Sequence, residues 1–189
     1  MDKKTRIELL ALVGLGIVGY YVMKNSGSIN TALSGLVAGS YTPPPEATPY
    51  LPLIQSSAAT AGVPWQLMTA EIQQESNFDP RAFNPSGASG IAQFEPATAK
   101  SLNVDPWDPN SAIPGMASYL AQLHNAIGNA GYTPSWALTL AAYDWGIGNV
   151  LNALAEQLPY TSYPAETRNY VAVITRNSGI DTALGAQFA

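Results

Sequence analysis

Glu75 closes an apolar helical stripe: Met68, Ile72 and Glu75 fall at i, i+4 and i+7 in the segment that begins at Pro64. A carboxyl group at the end of a core-facing stripe is partly desolvated. Desolvation disfavours the carboxylate, so such a group holds its proton nearer neutral pH, as a general acid must. Glu71, one turn earlier, adds a second carboxyl on the same helix whose repulsion acts in the same direction. From helix position alone a surface glutamate ending a helix is the simpler account. The residues that follow Glu75 weigh against it.

Glu75 opens the block ESNFDP, and GASGIAQFEPATA follows from Gly87 to Ala99. AAYDWGIGNV runs from Ala141 to Val150, and PAETRNYV from Pro164 to Val171. Gly87 and Gly90 permit a tight backbone that brings a loop against a polysaccharide. Gln93 and Tyr143 carry donors and acceptors suited to acetamido and hydroxyl groups. Phe78, Phe94, Tyr143 and Trp145 are aromatic faces on which a pyranose ring could rest, although burial explains any one of them.

In order and spacing these four blocks resemble the motifs of the soluble lytic transglycosylase family of the lysozyme-like superfamily. The resemblance implies an all-α, lysozyme-like (goose-type) helical domain that cuts the β-1,4 bond between N-acetylmuramic acid and N-acetylglucosamine and leaves 1,6-anhydromuramic ends. It further implies that Glu75 is the catalytic acid and that Asn84, Ser89, Gln93, Tyr143 and Asp144 contact the glycan. Glu166 and Tyr170 would brace or border the site. No metal and no organic cofactor is implied. Two positions depart from the family pattern: Asp144 stands where asparagine is common, and Asn84 where serine is common. Asn84 still suits an acetamido group, whereas a carboxylate at 144 would shift the acid's pKa or act as a second catalytic group. In that case the chain would be a goose-type muramidase using water, with Asp144 or Glu71 as the second carboxylate. A third reading is a non-catalytic wall-binding or virion structural protein.

Other chemistries find little support. There is no cysteine, so thiolate nucleophiles, thiolate metal sites and disulfides are excluded. The net charge of -5 argues against nucleic acid as a partner. His124 has no H-E-x-x-H or cysteine companion and reads as a satisfied or surface histidine rather than a metal ligand. Asp79, Glu95, Asp105, Asp108 and Glu156 fall in turn, cap or solvent-facing contexts. The string GLGIVG from Gly14 to Gly19 has dinucleotide-binding spacing, but it lies inside an apolar run with no preceding strand.

The elements that must position Glu75 follow from punctuation and periodicity. Pro64, Pro96, Pro134 and Pro164 mark helix starts, and Gly131, Gly146 and Gly179 mark ends. Helices are expected over about 50–61, 64–77, 95–102, 111–129, 134–144, 147–157 and 164–177. Ile113, Met116, Ala117, Leu120, Leu123 and Ile127 form one core-facing stripe, and Trp136 to Tyr143 is apolar all round, as a central buried helix is. Residues 50–189 are therefore expected to form the catalytic domain.

Ahead of it, Ile7 to Met23 is apolar apart from Glu8 and as a helix reaches roughly 25 Å, enough to span a bilayer. Lys3, Lys4 and Arg6 before it, with Tyr20 and Tyr21 at its far end and no A-x-A-like site directly after, favour an uncleaved single-pass anchor over its rival, a cleaved signal peptide, with the domain on the periplasmic or exterior side. Residues 1–24 are expected to be this anchor and 25–49 a stalk, including a small-residue stretch from Thr31 to Gly39 and a proline-rich linker from Tyr41 to Pro49. Expected partners are peptidoglycan strands and the membrane through residues 7–23, within an envelope, secretion or virion assembly.

Overall fold

The computed structural model describes residues 41–189, which form one compact unit. The expected anchor over residues 7–23, the GLGIVG string and the stretch from Thr31 to Gly39 lie outside the described residues. Among the described residues no helix is long and apolar enough to cross a membrane.

The domain is built from helices α1 (Leu51–Ala61), α2 (Trp65–Ser76), α3 (Pro96–Leu102), α4 (Pro109–Asn129), α5 (Trp136–Trp145), α6 (Ile147–Ala155), α7 (Ala165–Ser178) and α8 (Thr182–Gly185). Short 3-10 turns at Pro45–Ala47, Tyr160–Ser162 and Ala186–Phe188 complete it. Among the described residues the β-type pairing amounts to two isolated bridges, Phe83 with Ser89 and Ser89 with Phe94. The architecture is all-α, as the pattern of starts and stops predicts.

Local chemistry explains the helix ends. Pro64 and Pro164 sit at the N-caps of α2 and α7, where a missing N–H costs nothing. Asp108 caps α4 by accepting from the Asn110 backbone N–H at 2.9 Å, so that helix begins at Pro109 rather than near Ser111. Gly146 and Gly179 cap α5 and α7 with positive φ.

Helix α5 is the centre. Ala137 to Ala142 are all buried, and α4, α6 and α7 pack against it. Its small residues let these neighbours approach closely. Helix α7 also lies on α2, which brings the Glu75 helix beside the ETRNYV helix. Leu67, Met68 and Ile72 of α2 are fully buried, each contributing about 1.5–3 kcal/mol of burial free energy. Glu75 is thereby fixed on a face that the core has already oriented.

Two features depart from expectation. The proline-rich segment from Tyr41 to Pro49 is packed onto the domain rather than extended as a linker: Ala47 is fully buried and the Tyr41 ring meets Trp65 edge-on at 5.5 Å. The turn closes through the Ala47 N–H on the Pro44 carbonyl, so the prolines here shape a turn that packs on the domain. At the other end, α8 and the turn that follows are additional elements. They place Phe188, fully buried, against Tyr160 at 4.7 Å.

Candidate active site

The four sequence blocks converge on one groove. Glu75 comes from the last turn of α2, Asn84 and Gln93 from the loop between α2 and α3, Tyr143 and Asp144 from the end of α5, and Glu166 and Tyr170 from α7. Together they line a cavity of about 450 Å³, room for sugar units rather than a single small ion. Gln74, Ser86, Ala88, Glu95 and Asn169 complete the lining. The lining is strongly polar, with Glu75, Glu95, Asp144 and Glu166, and none of the described residues that form it is a lysine or arginine. Such a wall repels polyanions and suits a neutral, hydroxyl- and amide-rich chain. Among the described residues no cluster of three or more histidine or acidic side chains is placed to hold a metal ion.

Glu75 is half-buried, and its Oε1 accepts a hydrogen bond from the Tyr170 hydroxyl at 2.5 Å. Desolvation raises its pKa to about 8; the Tyr170 hydrogen bond opposes the rise and the Asp144 charge adds to it. A carboxylic acid is thus kept protonated at neutral pH beside an open groove. Glu71 lies deeper and has no exposure, and burial together with the neighbouring Glu75 holds its carboxyl well above the usual range. Asp144, exposed at the groove's rim, is raised by partial desolvation and by Glu166, against a hydrogen bond with Thr167.

The loop from Asn77 to Glu95 is held by bonds that consume several groups expected to face the glycan. The Ser76 hydroxyl donates to the Ile91 carbonyl at 2.8 Å, tying the end of α2 to the loop. Gln93 Nε2 donates to the carbonyls of Ala82 (3.1 Å) and Gly90 (2.8 Å), and the Tyr143 hydroxyl donates to the Ala92 carbonyl at 2.9 Å. Both residues line the groove, but their donors are committed to the loop. Gln93 is left with an acceptor and Tyr143 with its ring face.

Ser89 is not brought to the groove. It is buried, and its hydroxyl donates to the Gly87 carbonyl at 2.9 Å, so it shapes the loop while Ala88 and Ser86 reach the wall. Of the candidate aromatic platforms, Tyr143 alone belongs to the groove lining. Phe78 is buried against Tyr50, Phe94 is buried between Tyr119 and Tyr143, and Trp145 packs on Tyr163. Core packing took these rings.

Gln74, Ser86, Ala88, Glu95 and Asn169 are lining residues that sequence reasoning missed. Glu95 stands at the start of α3 without capping it; its Oε1 instead accepts from the Ser86 hydroxyl at 3.2 Å. Asn169 shares a helix face with Glu166, three residues earlier, so helical spacing alone could have placed it beside the site. His124 is satisfied elsewhere, bonded through Nδ1 to the Thr139 hydroxyl at 3.0 Å and stacked on Trp136.

The family model described as the transglycosylase SLT domain matches residues 52–161, more than half of the chain. The chain belongs to this family. The matched span of the SLT domain carries Glu75, the loop and the end of α5, and α7 lies just beyond it. The membrane-bound lytic murein transglycosylase F of Maricaulis maris is 33% identical over 114 residues, covering 58% of this chain and 25% of that protein. Transglycosylase F 2 of Alkalilimnicola ehrlichii is 37% identical over 101 residues, covering 52% of this chain and 22% of the relative. The crystal structure of the 70 kDa soluble lytic transglycosylase from Escherichia coli superposes with a TM-score of 0.57 at 26% identity, covering 68% of this chain and 23% of that one. The chain therefore spans about a quarter of the length of the curated relatives it matches.

Proposed function

We propose that this SLT domain is a peptidoglycan lytic transglycosylase whose single acid is Glu75. The observation that carries the reading is the Glu75 carboxyl: raised to about 8, held by Tyr170 and opening on a polar groove of about 450 Å³. Glu75 gives its proton to the glycosidic oxygen between N-acetylmuramic acid and N-acetylglucosamine as the bond to the anomeric carbon breaks. The substrate's own acetamido oxygen stabilises that carbon. Glu75, now a carboxylate, takes the proton of the muramic 6-hydroxyl, whose oxygen closes the 1,6-anhydro ring. The proton count returns to its start, no water is consumed, and one carboxyl suffices because the substrate supplies both nucleophiles. Asn84, Gln93, Tyr143, Glu166 and Tyr170 are read as groove residues that orient the sugars.

Asp144 supports a second reading. It lines the same groove and its charge acts on Glu75, the relation a water-positioning carboxylate would have in a goose-type muramidase. Mass spectrometry of digested cell wall separates the two. Anhydromuramic ends are expected; a digest with reducing ends alone defeats transglycosylation, and an untouched wall defeats both.

The names of the relatives, membrane-bound murein enzymes, accord with an envelope setting. We read residues 7–23 as the anchor that places the domain on the periplasmic or exterior face, within a bacterial envelope, secretion or virion assembly. In sealed inside-out vesicles residues 41–189 are then expected to resist added protease, and their digestion would reverse the orientation.

A further inference from the structure

Tyr170 stands between two carboxyls. Its hydroxyl oxygen lies 2.5 Å from Glu75 Oε1 and 3.1 Å from Glu71 Oε1, yet it carries one proton and can donate to only one of them. The second contact needs a proton of its own, and it must come from a carboxyl. Either Glu71 is protonated and donates to the tyrosine oxygen while tyrosine donates to Glu75, or the two glutamates exchange these roles.

Burial decides between the arrangements. Glu71 has no exposure, and its Oε2 is buried with no hydrogen-bond partner. An ionised Glu71 would leave a charged oxygen unsolvated in the core, whereas a neutral one leaves only a weak acceptor. Glu75, by contrast, is only half-buried and lines the groove, so a charge there is less costly. The groups that face Glu71 are Glu75 on its own helix, Tyr170 on α7 and Tyr143 on α5. Tyr143 is already bonded to the Ala92 carbonyl, so it does not supply the missing proton.

We propose that Glu71 is a positioning residue, a permanently neutral donor whose carboxyl O–H donates to the Tyr170 oxygen and so aims the Tyr170 proton at Glu75 Oε1. The inference rests on the reading of Glu75 as the acid. The chain of donors runs one way, from Glu71 to Tyr170 to Glu75. It matters most after Glu75 has released its proton, because the new carboxylate then receives a donor that cannot turn away. No proton leaves Glu71 during the cycle. The device uses the glutamate as an acid in the hydrogen-bonding sense alone, which a glutamine amide reproduces with its own N–H.

The test compares Glu71→Gln with Glu71→Leu in the full chain. Leu removes the donor at similar volume and is expected to lower kcat about tenfold with little change in KM. It also moves the basic limb of the pH profile upward, since the carboxylate form of Glu75 loses its oriented partner. Gln is expected to recover kcat to within about threefold of wild type and to leave that limb in place. Equal losses in both variants would show that Glu71 works as a charge, and a folded Leu variant with unaltered kcat and pH profile would show no positioning role. Carbon NMR of the two side-chain carboxyls keeps this question apart from the activity itself. In an inactive protein Glu71 should still keep its proton throughout the pH range over which Glu75 titrates. Ionisation of Glu71 before Glu75 overturns the proposal.

Discussion

Glu75→Gln is expected to reduce wall cleavage by about 10²–10⁴-fold while leaving the domain folded. On the proposed mechanism, the substitution removes the one proton that the glycosidic oxygen must receive and little else. The substituted amide would keep an oxygen able to accept from Tyr170, and its volume matches the cradle formed by α2 and α7. The loss should therefore fall on kcat, with substrate retained in the groove. In the unmodified protein, activity should decline as pH climbs through about 8, because that is where the proton leaves Glu75. The same group sets a sign for stability. Its folded pKa is raised above the ordinary 4.5, so its contribution is complete at acidic pH and is lost as pH rises from about 4.5 through 8. The glutamine variant has no proton to lose, and its melting temperature should fall less over that interval. Undiminished cleavage by a purified, folded Glu75→Gln protein would remove Glu75 from the reaction.

The contrast between what was legible and what was not follows from range. Helix α2 and the acid at its end could be read because Met68, Ile72 and Glu75 obey one local period, and local periods survive folding when one face is buried. The same holds for the stripe on α4 and for the ends marked by Gly146 and Gly179. The partners of side chains could not be read in this way. Ser89 and Gln93 look like ligand contacts because their types suit a sugar, yet the loop's own carbonyls at Gly87, Ala82 and Gly90 claim their donors first. An irregular loop has no helix ladder to satisfy its backbone, so nearby polar side chains are drawn into that task. Glu71 shows the converse. Its spacing from Glu75 was visible, but its meaning depends on a tyrosine nearly a hundred residues away that only the packing of α7 on α2 brings within reach. The proline run before Tyr50 misled for a related reason: Ala47 is buried by contacts that no local pattern encodes.

Gly90→Ala should be the most damaging small change in the loop. Gly90 has φ +74, where an L side chain is strained by roughly 1–2 kcal/mol, and an added Cβ would lie 1.6 Å from the Pro106 carbonyl oxygen and 2.6 Å from its carbon. Both are backbone atoms, so no rotamer change relieves the clash; one of the two chain segments must move. Adding an overpacking penalty of about 1–3 kcal/mol gives an expected loss of about 2–5 kcal/mol. For a domain of this size that lowers Tm by roughly 5–20 °C. Movement at residue 90 also reaches the chemistry. The Gly90 N–H donates to the Ala82 carbonyl at 2.8 Å and its own carbonyl accepts from Gln93, so the part of the groove wall that Gln93 forms shifts with it. The same substitution at Gly148 supplies the contrast: that glycine lies within α6 and has nothing within 4 Å of its added Cβ. There alanine removes a helix-weakening residue and should raise stability by about 0.5–1 kcal/mol. Two glycines changed to the same residue are thus expected to move Tm in opposite directions, measured in one melting experiment. Equal Tm values for the two variants would mean that the loop does not hold its 2.8 Å contacts, and with them the placing of Gln93 in the groove wall.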